Sequence, residues 1–334
     1  YMRMVNRTTL ADALHAAGEP AEAEAAFRQA EALQAEWRPH YPKLFSLRGY
    51  LYCDLLLARA APLDGSGLDR AAIEAAGEEA RALCEEVLAR ARQTLEWVTA
   101  AQQDLLSIAL DHLSLGRAGL GLALATGGRV SEAAAELERA VQGLREAGEE
   151  EFVARGLLAR AALHRFAGDA EAARADLAEA LEIAERGRMR LLECDAHLEW
   201  GRLCWAGGDR AGAEAHLAKA AEIVEETGYR RRGREVAELV VAVVLGSERR
   251  AIRQTAARHG ARNVRLCGSA ARGQATRERE LDFLVDMEPG RTLLDLEGLR
   301  QALEELLGRK VYVATERGLD PLLRDRVLGA VVPL

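Results

Sequence analysis

The sequence predicts a mainly α-helical chain, with helical hairpins stacked as a solenoid over residues 1–245 and a small α/β domain over residues 248–334. Three observations point there. Aromatic residues are scarce, at 4%, while Ala, Leu, Glu and Arg abound, a composition that favours helices. A spaced set of small and large apolar residues recurs every 40 residues through the first part. Past residue 260 the helical period gives way to alternation, with Leu281, Phe283 and Val285 offset by one from Glu280 and Asp282.

Taken in chain order, Leu10-Ala11, Leu14, Gly18, Ala23, Phe27 and Ala30 set the pattern of a first hairpin, with Gly18-Glu19-Pro20 as its turn. Residues 47–59 read as one helix, 60–67 as a Pro/Gly loop, and a long helix ends near Trp97; this pair departs from the repeat. Three regular hairpins follow, marked by Leu120-Gly121, Leu124, Gly128, Ala133, Leu137 and Ala140, then Ala161, Gly168, Ala173, Leu177 and Ala180, then Trp200-Gly201, Cys204, Gly208, Ala213, Leu217 and Ala220. Gly128, Gly168 and Gly208 should sit at equivalent turns, and Gly121 and Gly201 where paired helices cross closely, since a side chain there would push the pair apart. A last helix near 234–245 closes the array before Gly246-Ser247.

This order of small residue, turn glycine, small, large and small residue resembles the tetratricopeptide repeat (TPR), with longer helices. Repeats of that kind leave a concave face, and the register points Tyr50, Asp54, Leu158, Arg165, Phe166, Asp195, Arg202 and Trp205 towards it. Those residues either line a groove for a protein partner or pack against the next helix or the C-terminal domain. Similar arrays occur at the ends of large bacterial signalling proteins.

The C-terminal part carries the chemistry. Gly268 and Ser269 end a short apolar run and open a helical stretch, so backbone N–H groups and the Ser269 hydroxyl can converge on a phosphate. After ten residues come Glu280 and Asp282, two apart in a strand and so on one face. Two such oxygen donors can hold Mg²⁺ against a triphosphate. Arg272, three residues after Ser269, either meets a phosphate or caps the turn.

The run from 264 to 286 resembles the minimal nucleotidyltransferase (MNT) branch of the DNA polymerase β-like superfamily, whose motif is Gly-Ser, ten residues, Asp-x-Asp. The likeness continues through Glu288-Pro289-Gly290-Arg291-Thr292-Leu293-Leu294-Asp295-Leu296, Leu306-Leu307-Gly308-Arg309-Lys310-Val311 and Thr315-Glu316-Arg317-Gly318-Leu319. It implies a short mixed sheet, Mg²⁺ and ATP or another nucleoside triphosphate, nucleotide contacts from Gly268, Ser269 and Arg272, and metal ligation and catalysis by Glu280 and Asp282. It also implies transfer of AMP to a partner, as in the antitoxin half of HEPN–MNT modules, with a HEPN-type toxin as partner. Two positions depart from the pattern. Glu280 stands where the first metal-binding Asp is expected, and Mg²⁺ demands near-ideal octahedral geometry. Tyr312 stands where the third carboxylate is expected, and a phenol, neutral at pH 7, cannot replace a carboxylate base. These departures raise a second reading, an inactive scaffold or sensor that restrains its partner by binding alone.

The net charge of −8 is uneven: residues 246–334 hold 16 Lys/Arg against 13 Asp/Glu, leaving 29 against 40 for residues 1–245. Neither part has the basic excess of a duplex-DNA binder. Five scattered cysteines argue against a secreted disulfide framework and for a reducing cytoplasm. No apolar stretch is long enough for a membrane span. Cys194, His197, Cys204 and His216 mimic a zinc set but fit core packing, the Tyr229-Arg230-Arg231-Arg232-Gly233-Arg234 run fits a solvated junction, and His259 fits a structural helix end. The start at Tyr1 permits a C-terminal piece of a larger signalling or defence protein.

Overall fold

Turn glycines and acidic caps cut the first part of the chain into helices. The computed structural model describes residues 1–60, 70–101, 104–268, 280–328 and 331–334. Helices α1 (Met2–Ala16) and α2 (Pro20–Trp37) form the first hairpin, with Pro20 at the first helical position, where its missing N–H costs nothing. The irregular pair is α3 (Ser46–Arg59) and α4 (Arg70–Ala100); the expected Pro/Gly loop between them lies mostly outside the described residues. Three hairpins follow: α5 (Leu105–Thr126) with α6 (Ser131–Ala147), α7 (Glu150–Ala167) with α8 (Ala170–Arg186), and α9 (Arg190–Ala206) with α10 (Arg210–Thr227). Then comes α11 (Arg230–Leu245). Asp104 caps α5 by accepting from the Ser107 N–H at 2.9 Å, and Asp169 caps α8 through the Ala172 N–H at 3.0 Å.

The 40-residue period holds on the second helix of each hairpin. Ala133, Leu137 and Ala140, their counterparts Ala173, Leu177 and Ala180, and Ala213, Leu217 and Ala220 are all buried. On the first helices it holds less well. A Cβ at Gly201 would lie 2.9 Å from Leu217, so α9 and α10 cross there as expected, but a Cβ at Gly121 would meet Cys84 of α4 at 2.8 Å. The close approach of α5 to α6 falls on Gly116, whose Cβ would lie 2.5 Å from Leu137. The turn after α5 also differs, because the left-handed residue is Gly127 and the Gly128 N–H bonds the Ala123 carbonyl, whereas Gly168 and Gly208 take the left-handed conformation themselves. With a longer turn, α5 meets its partner five residues earlier than the register predicts, and Leu124 is left exposed.

The chain divides into two compact units inside α9, between Glu199 and Trp200, with Gly228–Arg231 belonging to the first. The sequence reading sets its domain boundary at residues 245–248. Solenoid repeats touch only their neighbours, so a terminal hairpin can join the unit that follows it.

In the second unit, α12 (Arg249–Arg258) leads into β1 (Ala261–Cys267), and β2 (Leu281–Met287) is joined through α13 (Leu293–Leu307) to β3 (Val311–Thr315). A short 3₁₀ turn (Glu316–Gly318), α14 (Pro321–Leu328) and β4 (Val332–Pro333) complete it. The sheet order is β3-β2-β1-β4, with β1 antiparallel to β2 and β4, and β2 parallel to β3, so the sheet is mixed. A helical crossover is what permits the parallel pair. Its helix starts with a capping box, in which Asp295 accepts from the Thr292 N–H at 2.8 Å and the Thr292 side chain caps in return. Leu266, Phe283, Val285 and Val311 are buried, as are Ile252 and Ala256 of α12 and Leu299 and Leu303 of α13, which pack as the core of this domain.

Candidate active site

Gly268 follows β1 directly with φ +67°, a left-handed conformation that suits glycine. A Cβ built on it would lie 2.0 Å from Oδ2 of Asp282. The Asp282 carboxylate therefore occupies the space a side chain would need, and any other residue at 268 would displace it. In β2, Asp282 is opposite Cys267 on β1 and opposite Tyr312 on β3. Residues directly opposite share a face, so a thiol, a carboxylate and a phenol form one row across the sheet beside the Gly268 turn. Burial pushes the Cys267 thiol up to about 11, with the Asp282 charge adding to it, so it stands in this row as a neutral group.

Glu280 immediately precedes β2, two residues from Asp282 and on its side of the strand, while Leu281 between them is buried on the other. Lys310 Nζ lies 3.6 Å from Glu280 Oε1, and the Leu281 N–H donates to the Lys310 carbonyl at 3.2 Å. Both partners are exposed, so the pair is weak and yields to a better ligand. The donor set is thus two carboxylate oxygens on one rim with no third carboxylate in the row. Such a set fits Mg²⁺ when triphosphate oxygens complete its coordination, because Mg²⁺ in such sites uses one or two carboxylates plus substrate. Among the described residues no group of three His, Cys, Asp or Glu side chains converges to hold a metal by itself.

A family profile for the nucleotidyltransferase domain matches residues 249–332. Over 75 residues the chain is 40% identical to a candidate protein adenylyltransferase of Methanocaldococcus jannaschii, a match spanning 22% of this chain and 81% of that one. The chain belongs to the minimal nucleotidyltransferases. It is also 36% identical over 75 residues to the protein adenylyltransferase MntA of Thermococcus cleftensis, covering 22% of this chain and 76% of the relative. A solved structure of a candidate minimal nucleotidyltransferase is 51% identical and aligns over 27% of this chain and 92% of its own, with a TM-score of 0.26.

Within this nucleotidyltransferase domain the structure brings together Gly268, Glu280, Asp282 and Tyr312 of the residues expected from sequence. Ser269 and Arg272 lie outside the described residues. Two neighbours escaped sequence reasoning, Cys267 and Lys310, and the signal was available only from strand register. Further along the same face, Arg265 meets Asp286 at 2.6 Å, and Asp286 also accepts from Asn263 at 2.9 Å.

The candidate groove of the helical array is a different matter. Tyr50 and Asp54 are buried, at 2% and 3% exposure, which corrects the expectation that they face an open groove. Asp54 accepts from both terminal nitrogens of Arg231 at 2.6 and 3.0 Å and pairs with Arg117 at 2.7 Å. Burial alone would raise its carboxyl, but the two guanidinium groups outweigh burial and hold it well below the usual range. Arg165 pairs with Glu199 at 2.6 Å, and Arg202 with Glu235 at 2.6 Å. Asp195 accepts from the Tyr229 hydroxyl at 3.3 Å. Trp205 is exposed, at 38%, as is Phe166, and Leu158 is half-buried. Of the suspected zinc set, Cys194 and His197 are buried in α9 and His216 stacks on Trp200 at 5.1 Å. Among the described residues no helix is long and apolar enough to cross a membrane.

Proposed function

We propose that the C-terminal domain binds a magnesium nucleoside triphosphate, ATP in the first instance, and transfers AMP slowly to a protein recruited by the TPR-like array. One observation supports the reading: the Gly268 turn and the Asp282 carboxylate are in direct contact, which is where this reading needs a phosphate-binding backbone and a metal-binding oxygen to lie side by side. Asp282 and Glu280 hold the cation, and Gly268, with Ser269 and Arg272, positions the phosphates. The cation neutralises phosphate charge at the reacting centre. Glu280 must leave Lys310 to take part, and Tyr312 supplies no general base, which makes transfer slow. The relatives named as protein adenylyltransferases favour a protein acceptor over a small molecule. On this reading Arg165, Asp195, Arg202 and Trp205 remain candidates for partner contact, and a HEPN-type toxin restrained by this chain as antitoxin is the leading partner. A cytoplasmic setting follows from the five cysteines and the need for ATP.

The second reading, a scaffold that restrains its partner by binding alone, draws on Tyr312 and on the Glu280–Lys310 pair. The test is ATP labelled at the α-phosphate, incubated with the full chain and a HEPN-type partner. Slow labelling that disappears in Asp282→Ala supports transfer; nucleotide binding without labelling of any protein supports the scaffold.

A further inference from the structure

The phenol that breaks the carboxylate pattern is also a nucleophile, and its placement gives it a role of its own. Tyr312 is 54% exposed on β3, directly opposite Asp282 on the parallel strand β2. Adjacent strands lie roughly 4.8 Å apart and their side chains stand roughly perpendicular to the sheet, so the phenol rises beside the carboxylate and extends past it. On the nucleotide reading, a triphosphate held by Asp282 and the Gly268 turn lies on this same face, beside the phenol. The only other side-chain hydroxyl on the described strands is Thr315, three positions on in β3 and therefore on the opposite face. A phenol also gives up its proton far more readily than an aliphatic hydroxyl, so it depends least on the carboxylate base that the site lacks.

We infer that Tyr312 is itself an acceptor: the domain adenylylates its own Tyr312 in cis. This rests on the nucleotide reading above. The Tyr312 oxygen attacks the α-phosphorus of ATP, the new O–P bond forms as the bond from that phosphorus to the β-phosphate bridging oxygen breaks, pyrophosphate leaves with the electron pair, and the phenolic proton passes to solvent. The product is a phosphodiester between tyrosine and AMP. Its bulk occupies the row beside Asp282, so the modification closes the site that made it.

The experiment uses the full chain with Mg²⁺ and ATP labelled at the α-phosphate, read by intact mass and peptide mapping, together with the intact mass of the protein as purified. Nucleotide binding is followed separately by thermal shift. The expected result is one AMP per chain on Tyr312, partly present before ATP is added, formed at a rate per molecule independent of protein concentration. Tyr312→Phe takes up no label, and Asp282→Ala takes up none even when mixed with wild type. Label mapping to another residue, equal labelling of Tyr312→Phe, or labelling of Asp282→Ala by wild type in the mixture would each overturn self-modification in cis. Should Tyr312→Phe fail to fold, the peptide map of the wild type decides alone. Binding of Mg²⁺–ATP without adduct at Tyr312 removes this inference and leaves the nucleotide reading standing, whereas no binding at all removes both.

Discussion

Asp54 in the helical array and Asp282 in the sheet are both aspartates that sequence reasoning offered as functional, yet their surroundings differ in kind. Asp54 is buried and carries two arginine partners, so its charge is committed to holding Gly228–Arg231 against α3. Asp282 is half-buried, with a thiol and a phenol as its strand neighbours and a glycine where a side chain would collide. An aspartate pinned by guanidinium groups is structural; one half-buried beside a glycine turn on a sheet face is the one that the nucleotide reading uses.

The largest effect should come from restoring the missing carboxylates. Glu280→Asp combined with Tyr312→Asp is expected to raise AMP transfer to a partner by about 10²–10⁴-fold, the usual contribution of a general base, measured as initial labelling rate. An unchanged rate would mean that Asp282 and its row do not form the transferase site. Next, Asp54→Ala leaves Arg231 and Arg117 facing each other without their carboxylate, and breaking a buried pair from one side costs about 3–5 kcal/mol. A denaturant midpoint close to wild type would show that the Arg231 and Arg117 pairs do not hold the helical array together. Gly201→Leu should cost about 1–3 kcal/mol by overpacking against Leu217, seen as a lower melting temperature. Gly121→Leu tests the corrected register: its side chain should clash with α4 at Cys84 rather than with α6.

The smallest effect is confined to acid. Burial alone would raise Glu235, but Arg232 and Arg202 outweigh it and hold it down to about 2, against an ordinary 4.5. A depressed carboxyl binds more protons in the unfolded chain, so its contribution is complete above about pH 4.5 and is lost as pH falls towards 2. Melting scans between pH 6 and pH 3 should show a shallower decline for Glu235→Gln than for wild type. Parallel slopes would show that its arginine pairs do not stabilise the fold.

Much of the architecture was legible because it depends on local chemistry. Gly18, Gly168 and Gly208 mark turns since the left-handed conformation penalises other residues, and Ala133, Leu137 and Ala140 repeat since two helices can approach only over small side chains. Gly268 and Asp282 were legible together because their spacing resembles the nucleotidyltransferase motif, and the returning strand does set Asp282 against the Gly268 turn. The shift of α5 was not legible, because it depends on how the longer turn over residues 127–130 sets a helix against both neighbours.

The sequence by itself determined which helices and strands form, which residues are small enough to be crossed, and which segment is nucleotidyltransferase-like, because each of these is decided by residues within a few tens of positions of one another. Tertiary structure alone decided that Asp54 is bound by Arg231, 177 residues away, that Lys310 stands beside Glu280, and that Tyr312 lies opposite Asp282. The physical reason is that periodicity records the face a side chain occupies within its own element, whereas the charge or hydroxyl it meets is chosen by strand register and helix packing between distant elements.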